Sequence, residues 1–402
     1  MIAEGKMRFS MLLLPFCIGV QGQGADALDH WEIVARPPIE LRGLAYKDGV
    51  FVGVGIGTNI VVSTNGGADW FIVHIPLTNY FGGFAVTEGA GQFVAVGWRG
   101  TMVTSADGLH WTIGQGGAQT QFEEYWAVTH GGGGFVAVGF ESYASGPAIA
   151  ATSSDGVHWE KHTLSIITTP RNVAYGNGLY VAAGSPVSMV SSNGRDWTAI
   201  PSLTAQGIAF GGGQFIATLL TTGFRSTNGL DWAQVPLPVL AEYQNYFTAS
   251  YANSTFLAGG FCDDCPNTNR PSLLATSSDG RQWTSRRFGT DAGIGPIRDI
   301  IFAEGRFYLA DSWQKIWRSD STLIPPPRIR ITGMSQEGAE LFVQGQAGST
   351  VVVETSADFS RWTPLHTNVM PFTLCPICPF VIVTDPGAGH FPHGFYRAYE
   401  SR

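Results

Sequence analysis

The sequence predicts an all-β protein, a seven-bladed β-propeller closed by its N-terminal strand and followed by a small C-terminal β-sandwich. The main observation is an internal repeat. An apolar phrase led by an aromatic residue recurs at intervals of 35 to 51 residues, with copies that begin at Phe51, Phe93, Phe135, Tyr180, Phe215, Phe256 and Phe307. Repeats of this length are typical of solenoids and propellers. A second observation is that six of the seven copies precede a short polar phrase ending in tryptophan.

Each repeat is predicted to form four short strands. In the first repeat these are residues 41–46, 50–54, 59–63 and 69–74, where apolar residues alternate with polar ones and Gly, Asn and Asp mark the turns. A four-stranded unit that repeats radially is a propeller blade.

The closing strand is predicted because the apolar phrases outnumber the tryptophan phrases by one. Seven apolar phrases but only six tryptophan phrases leave the last blade, residues 297–322, without an outer strand. Near the N-terminus, Asp29-His-Trp31-Glu-Ile-Val34 has the pattern of an outer strand with no blade before it. This strand is predicted to complete blade seven, which removes an open sheet edge.

The tryptophan phrases, here called the repeat turns, occupy residues 63–70, 105–111, 153–159, 191–197, 226–232 and 277–283. Asp or Asn accepts backbone N–H groups in such a turn, and Gly adopts a positive φ. A buried tryptophan covers about 150–250 Å², worth at most about 4–6 kcal/mol. Structural roles are therefore predicted for Asn65, Trp70, Asp107, Trp111, Asp155, Trp159, Asn193, Trp197, Asn228, Trp232, Asp279 and Trp283.

The repeat turns resemble the Asp-box, or bacterial neuraminidase repeat, with its pattern Ser/Thr-x-Asp-x-Gly-x-x-Trp/Phe. Residues 63–70 have the full spacing, with Asn65 in place of Asp, and the other five turns are one residue shorter. The resemblance covers residues 29–322 and implies a propeller. It does not select one activity, because the family includes sialidases, other glycosidases, photosystem assembly factors and binding proteins.

Four regions are predicted along the chain: a signal peptide (1–27), the propeller (28–324), a proline linker (325–327) and the β-sandwich (328–402). Lys6 and Arg8 precede a short apolar run, and Ala25-Asp-Ala27 offers a cleavage site, so export is expected. Translation starts at Met1 or Met7. The C-terminal region resembles the immunoglobulin-like or fibronectin-like modules of exported bacterial proteins, on its Glu-x-Ser-x-Asp-x-x-x-Trp phrase ending at Trp362 and on Phe395-Tyr-Arg-Ala398.

Removal of the signal peptide leaves four cysteines in two Cys-x-x-Cys pairs, Cys262 with Cys265 and Cys375 with Cys378. An even number of cysteines in an exported protein predicts disulfides. A zinc site made from both pairs is the alternative, but no metal or cofactor is expected.

Composition limits the partners. Charged residues make up 13% of the chain and the net charge is −8. Nucleic-acid binding depends on cations that contact phosphates, so it is excluded. No polybasic segment indicates a membrane surface, no stable membrane insertion is expected, and the protein is expected to be a monomer.

The candidate site lies on the propeller face opposite the repeat turns. Arg42, Arg171 and Arg298 share one register at the start of the first strands of blades one, four and seven. Three guanidinium groups at the channel mouth could bind a carboxylate bidentately. The alternative is that they pair with neighbours such as Asp299 or Glu40, or are simply hydrated at the rim. Further candidates on this face, suited to sugar rings or simply to rim packing, are Trp98, Arg99, Glu141, Tyr143 and Trp313.

The leading hypothesis is an exported, non-catalytic binding or scaffold propeller for glycan or protein ligands. The main alternative is a sialidase-like glycoside hydrolase or lyase that acts on an anionic sugar. Sialidases are six-bladed and use a Tyr nucleophile, and the phrase Val34-Ala-Arg-Pro37 matches their Tyr/Phe-Arg-Ile-Pro only in part. No catalytic residue is predicted. A third hypothesis, an assembly factor for a membrane complex, rests on the family resemblance.

Overall fold

A computed structural model gives the fold. It describes residues 28, 30–57, 59–75, 82–115, 122–141, 146–239, 244–262, 273–286, 294–320, 328–335, 338–344, 350–356, 363–369, 380–385 and 395–400. The chain divides into two compact units, one within residues 27–322 and one that contains residues 323–402. Every regular element in the described ranges is a β-strand.

In its described residues, the first unit contains 28 strands in seven four-stranded sheets. The N-terminal strand is β1 (Trp31–Ala35). Blades one and two contain β2 (Leu41–Lys47), β3 (Val50–Gly55), β4 (Asn59–Ser63), β5 (Phe71–His74), β6 (Gly83–Gly89), β7 (Gln92–Gly97), β8 (Met102–Ser105) and β9 (Thr112–Ile113). Blades three and four contain β10 (Glu123–Gly131), β11 (Gly134–Glu141), β12 (Ala148–Ser153), β13 (Glu160–Thr163), β14 (Thr169–Gly176), β15 (Leu179–Ser185), β16 (Ser188–Ser191) and β17 (Thr198–Ile200).

Blades five and six contain β18 (Gly207–Gly211), β19 (Gln214–Leu219), β20 (Thr222–Ser226), β21 (Ala233–Pro236), β22 (Gln244–Ala252), β23 (Thr255–Cys262), β24 (Leu273–Ser277) and β25 (Thr284–Arg286). Blade seven contains β26 (Ile297–Ala303), β27 (Arg306–Asp311) and β28 (Lys315–Ser319), with β1 as its fourth strand. In the first blade the predicted strand bounds agree with the observed ones to within two residues.

Strand β1 pairs antiparallel with β28, with Trp31 opposite Ser319 and Glu32 opposite Arg318. The Trp31 indole N–H donates to the carbonyl of Leu28, three residues earlier, at 2.8 Å. Tryptophans of the repeat turns make the same contact three residues back, as in Trp111 to Gly108. Trp31 therefore has the local geometry of the outer-strand tryptophans.

The core consists of apolar clusters between neighbouring blades. One cluster joins Val52 and Val62 of blade one to Phe93 and Trp111 of blade two. Another joins blade seven to blade one, since Tyr308 packs against Phe51 with ring centroids 4.7 Å apart. Burial of these side chains is the main stabilising term. The protein is a seven-bladed β-propeller, as the repeat count predicts.

The second unit contains two three-stranded antiparallel sheets. One has the order β29 (Arg328–Ser335), β30 (Gly338–Gln344), β33 (Phe380–Asp385), and the other has the order β32 (Thr363–Val369), β31 (Thr350–Ser356), β34 (Phe395–Glu400). Both sheets contribute buried apolar side chains, Leu341 and Val343 from the first and Val352 and Val353 from the second.

Several sequence predictions lie outside the described residues. They are the signal peptide, the proline linker, Tyr143, Cys265, Cys375 and Cys378; Cys262 ends β23, but its side chain is not described. The disulfides therefore stay predictions. Within the described ranges, no helix is long and apolar enough to cross a membrane.

Candidate ligand pocket at the channel mouth

The first strand of six blades contains a β-bulge near its start, where one residue is inserted into the register. The inserted residues are Arg42, Phe84, Trp126, Arg171, Phe247 and Arg298. In blade five, Gln206 occupies the corresponding place, and its N–H donates to the carbonyl of Thr218 at 2.8 Å. A bulge re-aims the inserted side chain. Each blade therefore presents one residue at an equivalent position.

Glycine on the second strand permits this bulge. A Cβ at Gly55, opposite the bulge of blade one, would lie 1.8 Å from the carbonyl oxygen of Glu40. Gly139 has the same relation to the carbonyl oxygen of Glu124 in blade three. Since real Cβ atoms do not approach an oxygen so closely, a larger residue at Gly55 or Gly139 would displace the first strand. The final Gly of the apolar phrase thus marks the bulge in these blades, whereas blade seven has its bulge with Asp311 at the corresponding place.

The seven equivalent residues line one pocket of about 610 Å³. Residues that directly follow them in the strands, including Asn172, Thr248 and Asp299, complete its wall. First strands begin at this face, whereas the repeat turns follow the third strands at the other end of each blade. The pocket and the repeat turns therefore lie on opposite faces, as the sequence predicts.

Two of the arginines lie against a pair of stacked aromatic rings. The rings of Phe84 and Trp126 are nearly parallel, with centroids 4.0 Å apart. The guanidinium carbon of Arg42 lies 4.9 Å from the Phe84 centroid, and that of Arg171 lies 4.2 Å from the Trp126 centroid. Cation–π attraction holds each guanidinium without using its N–H donors.

The third arginine is more fully paired. Arg298 lies 5.4 Å from the Phe247 centroid, its Nε donates to the Ser312 hydroxyl at 2.6 Å, and its guanidinium lies 4.0 Å from the Glu40 carboxylate. Among the described residues, by contrast, no carboxylate lies within 4 Å of the guanidinium of Arg42 or Arg171, and the buried Arg42 Nε has no hydrogen-bond partner. Because the Arg42 Nε is buried, the donors available to a ligand are the remaining N–H groups of the two guanidiniums at the pocket wall.

The pKa shifts distinguish the basic groups from Asp299, the one acid among the described residues that line the pocket. Burial lowers the pKa of Arg171, a shift that Glu124 opposes and Arg42 reinforces. An arginine remains charged at physiological pH even so. Burial raises the pKa of Asp299 to about 6, although its carboxylate accepts the N–H groups of Leu44 and Ile300. Asp299 therefore changes its charge just below neutral pH.

The structure brings together the three arginines that share a register in the sequence. Trp98, Arg99 and Trp313 follow second strands and do not line the pocket, and Glu141 at the end of β11 does not line it either. These loops lie farther from the propeller axis than the first strands do. Sequence reasoning missed the equivalence of Phe84, Trp126, Gln206 and Phe247 to the arginines.

The repeat turns have internal contacts of their own. Asp107 Oδ1 accepts the N–H groups of Leu109 and His110, each at 2.8 Å, and the Ser105 hydroxyl accepts the N–H of Gly108. Three turns have a central Asp, and two of them have a His three residues later, as in the 2.7 Å pair of Asp107 and His110. The three turns with a central Asn have an Asp three or four residues later instead.

These side chains form matched pairs in five of the six turns. The Asn193 amide donates to the Asp196 carboxylate at 2.8 Å. Hydrogen bonds from the His side chain and from backbone N–H groups hold the pKa values of Asp107 and Asp155 well below the usual range. Because the contacts are within the turn, they account for these residues without a ligand.

The fold and the pocket define a seven-bladed β-propeller with an arginine–aromatic pocket at the channel mouth. No family model and no curated protein matches the sequence. Among solved structures, the chain is similar to YCF48 bound to a D1 peptide, with 16% identity, coverage of 72% of this chain and 96% of that one, and a TM-score of 0.52.

Two further structures are similar at the same level. YCF48 from Cyanidioschyzon merolae has 14% identity, with coverage of 72% of this chain and 98% of that one and a TM-score of 0.52. The extracellular domain of BT4673 from B. thetaiotaomicron has 10% identity, with coverage of 86% and 52% and a TM-score of 0.50. At such identities the similarity shows the fold alone.

Proposed function

We propose that the protein is an exported, non-catalytic binding or scaffold propeller that holds an anionic group of a glycan or protein ligand at the channel mouth. The observation that carries this proposal is the state of Arg42 and Arg171. Both lie on aromatic rings, and neither has a carboxylate partner among the described residues. Guanidinium groups bind carboxylates through paired, charge-assisted hydrogen bonds.

The structural neighbours are consistent with a binding role. YCF48 is a propeller of the same fold that has been seen bound to a D1 peptide. A scaffold that assists the assembly of a membrane complex is a form of this role that the same pocket would serve. Membership of the Asp-box family is part of the proposal, supported by the six repeat turns.

Binding assays with substitutions at the pocket test the proposal. Calorimetric titration would use a panel of acidic peptides and sialylated or uronic-acid oligosaccharides. Arg171→Gln should weaken binding of any ligand found by about 10-fold or more, the loss of about 1.5–3 kcal/mol expected for a charged hydrogen bond. Arg195→Gln is the matched control, because Arg195 lies in a repeat turn and pairs with Glu160. Equal losses in both variants would contradict the proposed site.

A glycoside hydrolase is the second candidate, and Asp299 is the observation that favours it. An acid whose pKa is about 6 suits proton transfer near neutral pH. However, both of its oxygens accept backbone N–H groups, and no Tyr or Glu side chain is among the described residues that line the pocket. A fluorogenic sialoside should therefore show no turnover. Turnover that Arg298→Ala abolishes would overturn the non-catalytic proposal.

We also propose that β1 closes the ring and that the two C-terminal sheets form a β-sandwich. Closure can be tested at Glu32 and Arg318, which are opposite one another in the register and form an ion pair. A Glu32→Cys, Arg318→Cys variant should form a cross-link under oxidising conditions. The cross-link should raise the free energy of unfolding by at most about 4–5 kcal/mol, as expected for a long closed loop. If mass spectrometry of the oxidised variant detects no disulfide between the two cysteines, closure would be contradicted.

A further inference from the structure

The face around the pocket carries an apolar rim. Each of the seven blades exposes one large apolar side chain there, either after its second strand or before its first. They are 41 to 65% exposed, and they are Ile56, Trp98, Phe122, Ile167, Leu220, Val239 and Trp313. Only Leu109 and Leu230 are comparably exposed in the described repeat turns of the opposite face.

The chemistry of this rim differs from that of a sugar platform. Ile167, Leu220 and Val239 are aliphatic and 56, 53 and 65% exposed. Sugar rings stack on aromatic faces, whereas exposed aliphatic side chains are buried by other apolar side chains. Exposed apolar side chains arranged around a polar centre are typical of protein interaction sites.

From these two features we infer that the ligand is a polypeptide segment in which an Asp or Glu side chain has apolar residues on both sides. The inference rests on the proposed function, because it places the acidic side chain on Arg42 and Arg171. The flanking apolar residues lie on the apolar rim. The charge pair fixes the centre of the contact, and the flanking apolar residues of the ligand bury the apolar rim around it.

The position of the rim favours a side-chain carboxylate over a chain end. Exposed apolar residues occur in blades on all sides of the pocket, for example Ile56 in blade one and Leu220 in blade five. A segment that continues past the acidic residue in both directions covers opposite parts of this rim. A C-terminal carboxylate would leave one side uncovered.

Selection of displayed peptides on the immobilised full chain tests the inference. Enriched peptides should contain one acidic residue flanked by apolar residues. Each would be resynthesised with an acetylated N-terminus and an amidated C-terminus, so that only side chains carry charge. Replacement of its Glu by Gln, or Arg171→Gln in the protein, should weaken binding by about 10-fold or more.

The rim has a matched pair of leucines. Leu220→Ser should weaken the selected peptide about 3- to 10-fold, an effect expected from lost apolar burial. Leu230→Ser, at a residue that is 54% exposed in a repeat turn, should leave binding unchanged. Both substitutions are on the surface, and thermal unfolding would confirm that each variant is folded.

The outcomes separate the inference from the proposed function. Binding that requires a free C-terminus, or that survives Glu to Gln replacement, would overturn the inference. Arg171-dependent binding of anionic glycans without any peptide binder would overturn the inference and leave the proposed function standing. Absence of both peptide and glycan binding would contradict the two together.

Discussion

The two faces of the propeller differ in how they use repetition. On the turn face, six blades repeat one set of residues, and its polar side chains bond within the turn, as Asp107 and Asn193 do. On the mouth face, the backbone bulge repeats but the inserted residue changes from blade to blade, and two arginines keep available donors. Repetition of side chains on one face reflects folding, whereas their variation on the other indicates a site.

The largest expected effect separates folding from binding. Trp159→Ala should lower the free energy of unfolding by about 3–5 kcal/mol, because this 5% exposed tryptophan packs with Val94 and Phe135 between blades two and three. Arg171→Gln should change it by less than about 1 kcal/mol. Urea unfolding would measure both. A larger loss of stability for Arg171→Gln would show that the pocket, too, is structural.

A smaller effect tests the aromatic support of the arginines. Trp126→Leu removes the ring on which Arg171 lies and against which Phe84 stacks. Affinity for an anionic ligand should fall by about 1–2 kcal/mol, the scale of a partly desolvated cation–π contact. Phe71→Leu, at an exposed residue of β5, is the control and should leave the affinity unchanged. Unaltered affinity in Trp126→Leu would contradict the role given to this ring.

The pairs in the repeat turns predict an effect of about 1 kcal/mol. Asn193→Asp places a carboxylate beside that of Asp196 and removes the amide donor that now lies 2.8 Å from it. Adding Asp196→His recreates the pair that Asp155 forms with His158. The double variant should therefore recover the stability that the single variant loses. Failure to recover it in urea unfolding would show that the pairs are not interchangeable.

The smallest prediction concerns pH. The pKa of Asp299 is about 6, so its charge is lost as the pH falls from 7.5 to 5.5, while ligand carboxylates and Arg42, Arg298 and Arg171 stay charged. Repulsion of an anion decreases, and binding should strengthen about 2- to 5-fold over this range.

Asp299→Asn is the control for this pH effect. Asn172 already occupies the equivalent place in blade four, where its oxygen accepts the N–H of Val173 at 2.8 Å. The variant should bind equally at both pH values. A pH dependence that persists in Asp299→Asn would assign the titration to another group.

Much of the propeller could be predicted from the sequence, because turns and strand alternation are local. The repeat gives the blade count, and Trp31 could be recognised as the tryptophan of an outer strand that has no blade before it in the sequence. The pocket was only partly predictable. Three arginines share a register, but Phe84 and Phe247 are equivalent to them through a backbone bulge, which has no side-chain signature of its own. A local signal in several blades is the glycine opposite the bulge, such as Gly55, but blade seven has Asp311 there.

The most direct test of the account is calorimetric titration of one anionic ligand against three forms of the protein. These are the wild type, the Arg42→Gln, Arg171→Gln double variant, and Arg195→Gln on the turn face. Loss of about 100-fold or more in the double variant, with wild-type affinity in Arg195→Gln, is the predicted result. Wild-type affinity in the double variant would contradict the claim that the channel mouth is the binding site.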